Sequence, residues 1–129
     1  MAIITFPALI NSLIKTYKKF ECKIIGGYPS HFTAGNELNL FNYVVKKNKI
    51  LSTSGSLSND ELFTIYNLSL YINPKNIFII GNSYGISAVF LSLLFPKANL
   101  VAIDKYRTKG VAFTNKLLKT IGNSKKAIK

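Results

Sequence analysis

A single cysteine, Cys22, is too few for an internal disulfide and excludes any cysteine-rich metal site. The chain also holds one histidine, His31, so a zinc site lacks its usual ligands. A lone thiol of this kind is by default a small buried apolar group. Together these shortages point to a reducing, intracellular location, and the cytoplasm is the expected one. Acid is scarce as well: 5 acidic residues stand against 17 basic ones, for a net charge of +12. Such a bias points to contact with a polyanion. From residue 97 to 129 basic residues recur with only Asp104 to oppose them. No aromatic-basic motif accompanies them, so a solvated lysine-rich surface is the plainer reading and an RNA partner the functional one. No charged leader precedes the first basic residue, Lys15, and no signal peptide is expected. Repeats and low-complexity segments are missing too. What the chain does have is apolar mass. With 129 residues, 48% hydrophobic and 12% aromatic, it is one domain's length with enough apolar side chains for a core.

The chain is organised around residues 77–104, IFIIGNSYGISAVFLSLLFPKANLVAID. Residues 77–80 form a short β-branched and aromatic run, the mark of a buried strand. Gly81-Asn82-Ser83-Tyr84-Gly85 is a sharp turn. Residues 86–95 are apolar over a length that suits a buried helix, and Pro96 stops it because proline cannot donate the next backbone bond. Residues 100–103 read as a second buried strand with Asp104 at its carboxyl end. Strand, glycine turn, helix, strand, acid is a nucleotide-binding βαβ layout. Glycines let a ligand approach the backbone, and the helix start turns free N–H groups and a positive dipole end toward the crevice. Asp104, about 20 residues beyond the turn, is placed to accept two hydrogen bonds from a ribose.

This stretch resembles motifs I and II of the class I S-adenosylmethionine-dependent methyltransferases. Gly81, Ser83 and Gly85 fall on the three glycines of that family's G-x-G-x-G turn, and Asp104 falls on its ribose-binding acid. Pro96-Lys97-Ala98-Asn99-Leu100-Val101-Ala102-Ile103-Asp104 is similar to the family's second-strand phrasing, and Pro74-Lys75-Asn76-Ile77 to the approach to its first strand. The resemblance covers residues 58–118. It implies S-adenosyl-L-methionine as the cofactor, held by Gly81, Asn82, Ser83, Tyr84, Gly85 and Asp104. It assigns no general base and no methyl acceptor. The sequence departs from the pattern at Ile79, where the family carries an acid, and at Ser83, which replaces the middle glycine.

Three other readings compete for the same residues. The turn also fits G-x-S-x-G, the nucleophile elbow of a serine hydrolase, with Ser83 as nucleophile. That fold needs a histidine after the serine, and His31 precedes it. A dinucleotide fingerprint needs glycine where Ser83 and Ile86 stand. Residues 77–95 carry no charge and are long enough for a membrane span, but Gly81, Asn82, Ser83 and Gly85 break them into strand and helix. No membrane span is expected.

Around this unit, residues 2–20 have helical apolar spacing in Phe6, Leu9, Ile10, Leu13, Ile14 and Tyr17. A helix packed on the domain is the favoured reading, a membrane-surface helix the other. Residues 22–35 read as a loop with a short strand at 22–25, and His31 is a loop residue that a substrate site could use. Asn36 is expected to cap a helix running to Lys46, with Leu38, Phe41, Val44 and Val45 as its apolar face. Residues 50–57 read as a connector. Ser58-Asn59-Asp60-Glu61 is a capping box opening a helix to Tyr71. After Asp104 a last helix is expected from Val111 to the region of Ile121, ended by Gly122 in a left-handed turn, with 123–129 as a frayed basic tail.

The expected fold class is therefore α/β. N-terminal helices over 1–57 are followed over 58–129 by a partial, apparently truncated Rossmann-like βαβα unit with parallel strands. Two parallel strands leave faces and edges uncovered, so an oligomer or a second polypeptide is expected to complete the sheet. The expected function is a methyltransferase, or an inactive relative that keeps the donor-binding half. A non-catalytic basic protein that binds RNA, a membrane or a partner subunit is the alternative, and a serine hydrolase at Ser83 ranks third.

Overall fold

The computed structural model describes residues 4–26, 42–51, 56–105, 109–122 and 124–128. It begins with helix α1, Phe6–Lys18. Thr5 caps the helix by accepting from Ala8 N–H, and Pro7 occupies its first turn, where a missing N–H costs nothing. Leu9, Leu13, Thr16 and Tyr17 form its buried face. A tight turn through Glu21, whose φ is 59°, leads into strand β1, Cys22–Gly26.

Strand β1 pairs antiparallel with β2, Asn42–Lys46, which pairs in turn with the short β3, Lys49–Ile50. Lys47 and Asn48 join β2 to β3 with φ of 49° and 61°. Positive φ at both positions is what a two-residue hairpin turn requires. The helix expected up to Lys46 is thus a strand over 42–46, and its expected start at 36–41 lies outside the described residues. In Asn42-Tyr43-Val44-Val45 the β-branched pair and the tyrosine favour extended backbone. Pairing with β1 then overrides the helical spacing.

Helix α2, Asn59–Leu68, starts at the capping box expected from its sequence. Ser58 Oγ accepts from Glu61 N–H at 3.2 Å, and Glu61 Oε2 accepts from Ser58 N–H at 2.7 Å. It ends a turn earlier than Tyr71.

Strand β4, Asn76–Ile80, helix α3, Ile86–Leu94, and strand β5, Asn99–Ile103, follow in the expected order. Helix α4, Lys109–Lys119, leads to a further strand, β6, Lys125–Ile128. The three strands form one parallel sheet in the order β4-β5-β6. The part of the basic tail over Lys125–Ile128 is therefore a strand and not frayed. Gly122 does not take the left-handed conformation expected of it; its N–H simply closes on Leu118 O at 3.1 Å.

The sheet has one covered and one bare face. Leu100, Ala102, Lys125 and Ala127 are buried beneath α3 and α4, while Phe78, Ile80, Lys126 and Ile128 are exposed on the other side. Lys125 stands among apolar neighbours because its ammonium donates to Pro96 O at 2.8 Å, near the C-terminal end of α3. There the helix dipole favours a cation. One hydrophobic cluster joins Leu9, Leu13 and Tyr17 of α1 to Cys22, Val44 and Leu62, and these to Val89 and Phe90 of α3 and to Leu117 and Leu118 of α4. Leu9, Leu13 and Tyr17 of the apolar face of α1 are thus inside the protein, Phe6 and Ile10 are half-buried, and Ile14 is exposed. Among the described residues no helix is long and apolar enough to cross a membrane.

Candidate functional site

The bend between β4 and α3 is where the sequence places its candidate residues. Gly81 and Gly85 have φ of 89° and 83°, and Ser83 has φ of 46°. Three left-handed residues in five reverse the chain abruptly, and glycine meets that demand without the strain a side chain adds. The two glycines serve different ends. A Cβ on Gly85 would lie 2.5 Å from Thr114 Oγ1, so its bareness lets α4 press against the turn. A Cβ on Gly81 would meet nothing within 4 Å, so the backbone there borders open space.

Asp104 follows β5 directly and lies across the bend. Its Oδ2 accepts from the N–H of Asn82 at 3.0 Å and of Ser83 at 2.9 Å. Parallel pairing with matched register, Ile80 against Ile103, sets that alignment. Gly81 N–H donates to Ile103 O at 2.9 Å and fixes the point where the chain leaves the sheet. Bonds from amides to a carboxylate are charge-assisted, so the acid holds the turn in shape.

Asn82 is buried. Its Nδ2 donates to Ser83 O at 2.8 Å and to Thr114 Oγ1 at 2.9 Å. Its Oδ1 is buried with no partner. The Tyr84 ring lies tilted against Phe113 with centroids 5.9 Å apart, and the Tyr84 carbonyl accepts from the hydroxyl of Tyr17 at 2.7 Å. Burial pushes the Tyr17 hydroxyl well above its ordinary range, with Cys22 adding to the shift. The N-cap of α3 is Gly85, which supplies no side-chain bond to the helix start. Ser87, in the first turn, meets Ser56 across a 3.3 Å hydroxyl contact.

The structure thus gathers Gly81, Asn82, Ser83, Tyr84, Gly85 and Asp104 at the carboxyl ends of two adjacent parallel strands. Open α/β sheets bind ligands in the crevice at that end. Two participants were missed in the sequence. Thr114 gave no signal because it lies on a helix of unremarkable spacing, and Tyr17 read as one more apolar helix position. Ser83 does sit on a strained strand-to-helix turn, as a nucleophile elbow does. But its N–H is taken by Asp104, no imidazole is present among the described residues, and His31 lies outside them. No set of three histidines, cysteines or carboxylates able to hold a metal occurs among the described residues.

The sequence matches no protein-family model and no curated protein. The functional reading therefore rests on the geometry of the bend and on the motif resemblance.

Proposed function

We propose that residues 76–104 form the methyl-donor site of a Rossmann-like domain of the S-adenosylmethionine-dependent methyltransferase type. One observation carries the reading: the Asp104 carboxylate faces a left-handed glycine bend across two parallel neighbouring strands. A ligand with a ribose and an adjoining apolar or cationic portion suits such a crevice. The carboxylate is an acceptor for hydroxyls, and Gly81 leaves room beside the main chain. The donor set also fits chemically. A sulfonium carries positive charge, and the Asp104 carboxylate places negative charge beside the bend, with no lysine or arginine in residues 81–85. S-adenosyl-L-methionine would supply an activated methyl group, and the protein's part is to hold it in line with an acceptor.

Titration calorimetry with S-adenosylhomocysteine tests the proposal. The wild-type chain is expected to release heat with a one-to-one endpoint, and Gly81→Val to lose it, by filling the open space beside the bend and by straining a left-handed backbone position. Asp104→Asn keeps the shape of the acid and is expected to weaken binding by roughly tenfold, the scale of one charge-assisted bond. No heat from wild type, or equal heat from all three proteins, would refute the donor site.

A further inference from the structure

The two edges of the parallel sheet are treated differently. Leu100 N–H donates to Ser124 O and Asp104 N–H to Ile128 O, so residues 124, 126 and 128 turn their backbone groups toward β5. By alternation, 125 and 127 turn theirs outward. Asn115 of α4 closes that edge: its Nδ2 donates to Ala127 O and its Oδ1 accepts from Ala127 N–H, both at 2.8 Å. A side-chain amide there occupies the groups a further strand would use.

The β4 edge has no such guard among the described residues. Asn99 N–H donates to Lys75 O and Gly81 N–H to Ile103 O, so residues 76, 78 and 80 carry the outward groups. Their side chains stand on the bare face of the sheet, where Phe78 is 63% and Ile80 80% exposed. Across the rows lie Val101 and Lys126 beside Phe78, and Ile103 and Ile128 beside Ile80. Parallel sheets bury both faces, and exposed apolar edges pair with other chains unless charge or proline blunts them. Neither interrupts β4.

Charge selects the occupant. The chain carries +12, so two copies repel each other. Lys75 at the head of β4 and Lys126 on the bare face are exposed, while Asp104 is turned into the bend. A partner strand with acidic residues complements that pattern. We infer that β4 is a docking edge for an extended segment of an acidic partner polypeptide. That segment adds a strand beside Asn76–Ile80 and covers Phe78 and Ile80. The inference is independent of any ligand at the glycine bend.

The test uses the whole chain, isotope-labelled, and a short capped peptide of alternating valine and glutamate, with a valine–lysine twin as control. The glutamate peptide is expected to shift the amide resonances of Asn76, Phe78 and Ile80 and to slow their hydrogen exchange. The lysine twin is expected to leave them unmoved. Ile80→Lys, on a side chain already in solvent, is expected to weaken the glutamate peptide by on the order of tenfold although it adds attraction for acid. Unmoved β4 amides, equal binding by Ile80→Lys, or sedimentation showing a dimer that Ile80→Lys dissociates would each overturn the proposal. The last outcome would make a second copy the occupant.

Discussion

Tyr17 shows how one side chain ties a helix to the candidate site. It is buried in the common core, and its hydroxyl reaches Tyr84 O within the glycine turn. Burial favours the neutral phenol, so its folded pKa lies well above the unfolded value of about 10. Between those values the unfolded chain has lost the proton and the folded chain keeps it. The stability contributed by Tyr17 is therefore complete below about pH 10 and falls as pH rises beyond it. Tyr17→Phe is expected to cost about 1 kcal/mol at pH 7, because the Tyr84 carbonyl loses a donor. It should also flatten the alkaline limb of the stability curve. Urea unfolding from pH 7 to 11, read as wild type minus variant so that the lysines cancel, checks both; a constant difference across that range would contradict the assignment.

At the scale of elements, the central unit and the helices around it were legible in sequence, whereas the strands at 42–46 and 125–128 were not. Residues 77–80 and 100–103 carry continuous apolar runs, Pro96 and the two glycines punctuate them, and Ser58 with Glu61 marks a helix start by specific chemistry. The strand at Asn42–Lys46 was hidden because apolar residues at 41, 44 and 45 fit a helix as well as a strand. Its partner in β1 is distant in sequence, and spacing cannot report it. Strand β6 was hidden because Lys125 and Lys126 read as solvent-facing. One of them instead lies under the helices, with its stem among apolar groups and its ammonium on a backbone carbonyl. The guard on that strand was equally silent, since an asparagine at 115 looks like any exposed helix residue until β6 is in place. Asn115→Leu keeps the volume and removes both bonds to Ala127. It is expected to lower stability by about 2 kcal/mol by leaving backbone groups of Ala127 unpaired, and to promote association along the freed edge. Thermal melting and light scattering against concentration would show it. A variant that melts with wild type and stays monodisperse would mean the edge needs no guard.

For the whole molecule, the expected boundary between 1–57 and 58–129 meets a core that draws on both sides of it. Leu9, Leu13, Tyr17, Cys22 and Val44 precede residue 58, yet they belong to the same buried cluster as Leu62, Val89, Phe90, Leu100 and Leu118. Each large apolar side chain contributes about 2 kcal/mol by its burial, and a domain of this size has a net stability of only about 5–15 kcal/mol. Removing the first group together takes away an amount comparable with the whole margin. It also strips the side of α3 that α1 covers and withdraws the Tyr17 hydroxyl from the glycine turn. A fragment of residues 58–129 is therefore expected to keep helical circular dichroism from α3 and α4 but to lose cooperative melting and to bind a hydrophobic dye. It should also fail to bind S-adenosylhomocysteine even if the full chain does, because the bend is held from both sides: by Asp104 within the fragment and by Tyr17 outside it. A sharp thermal transition in the fragment would show that the βαβ unit folds alone and that α1 is an accessory. A broad one would show that α1, expected to pack on the domain, is also part of what shapes the site.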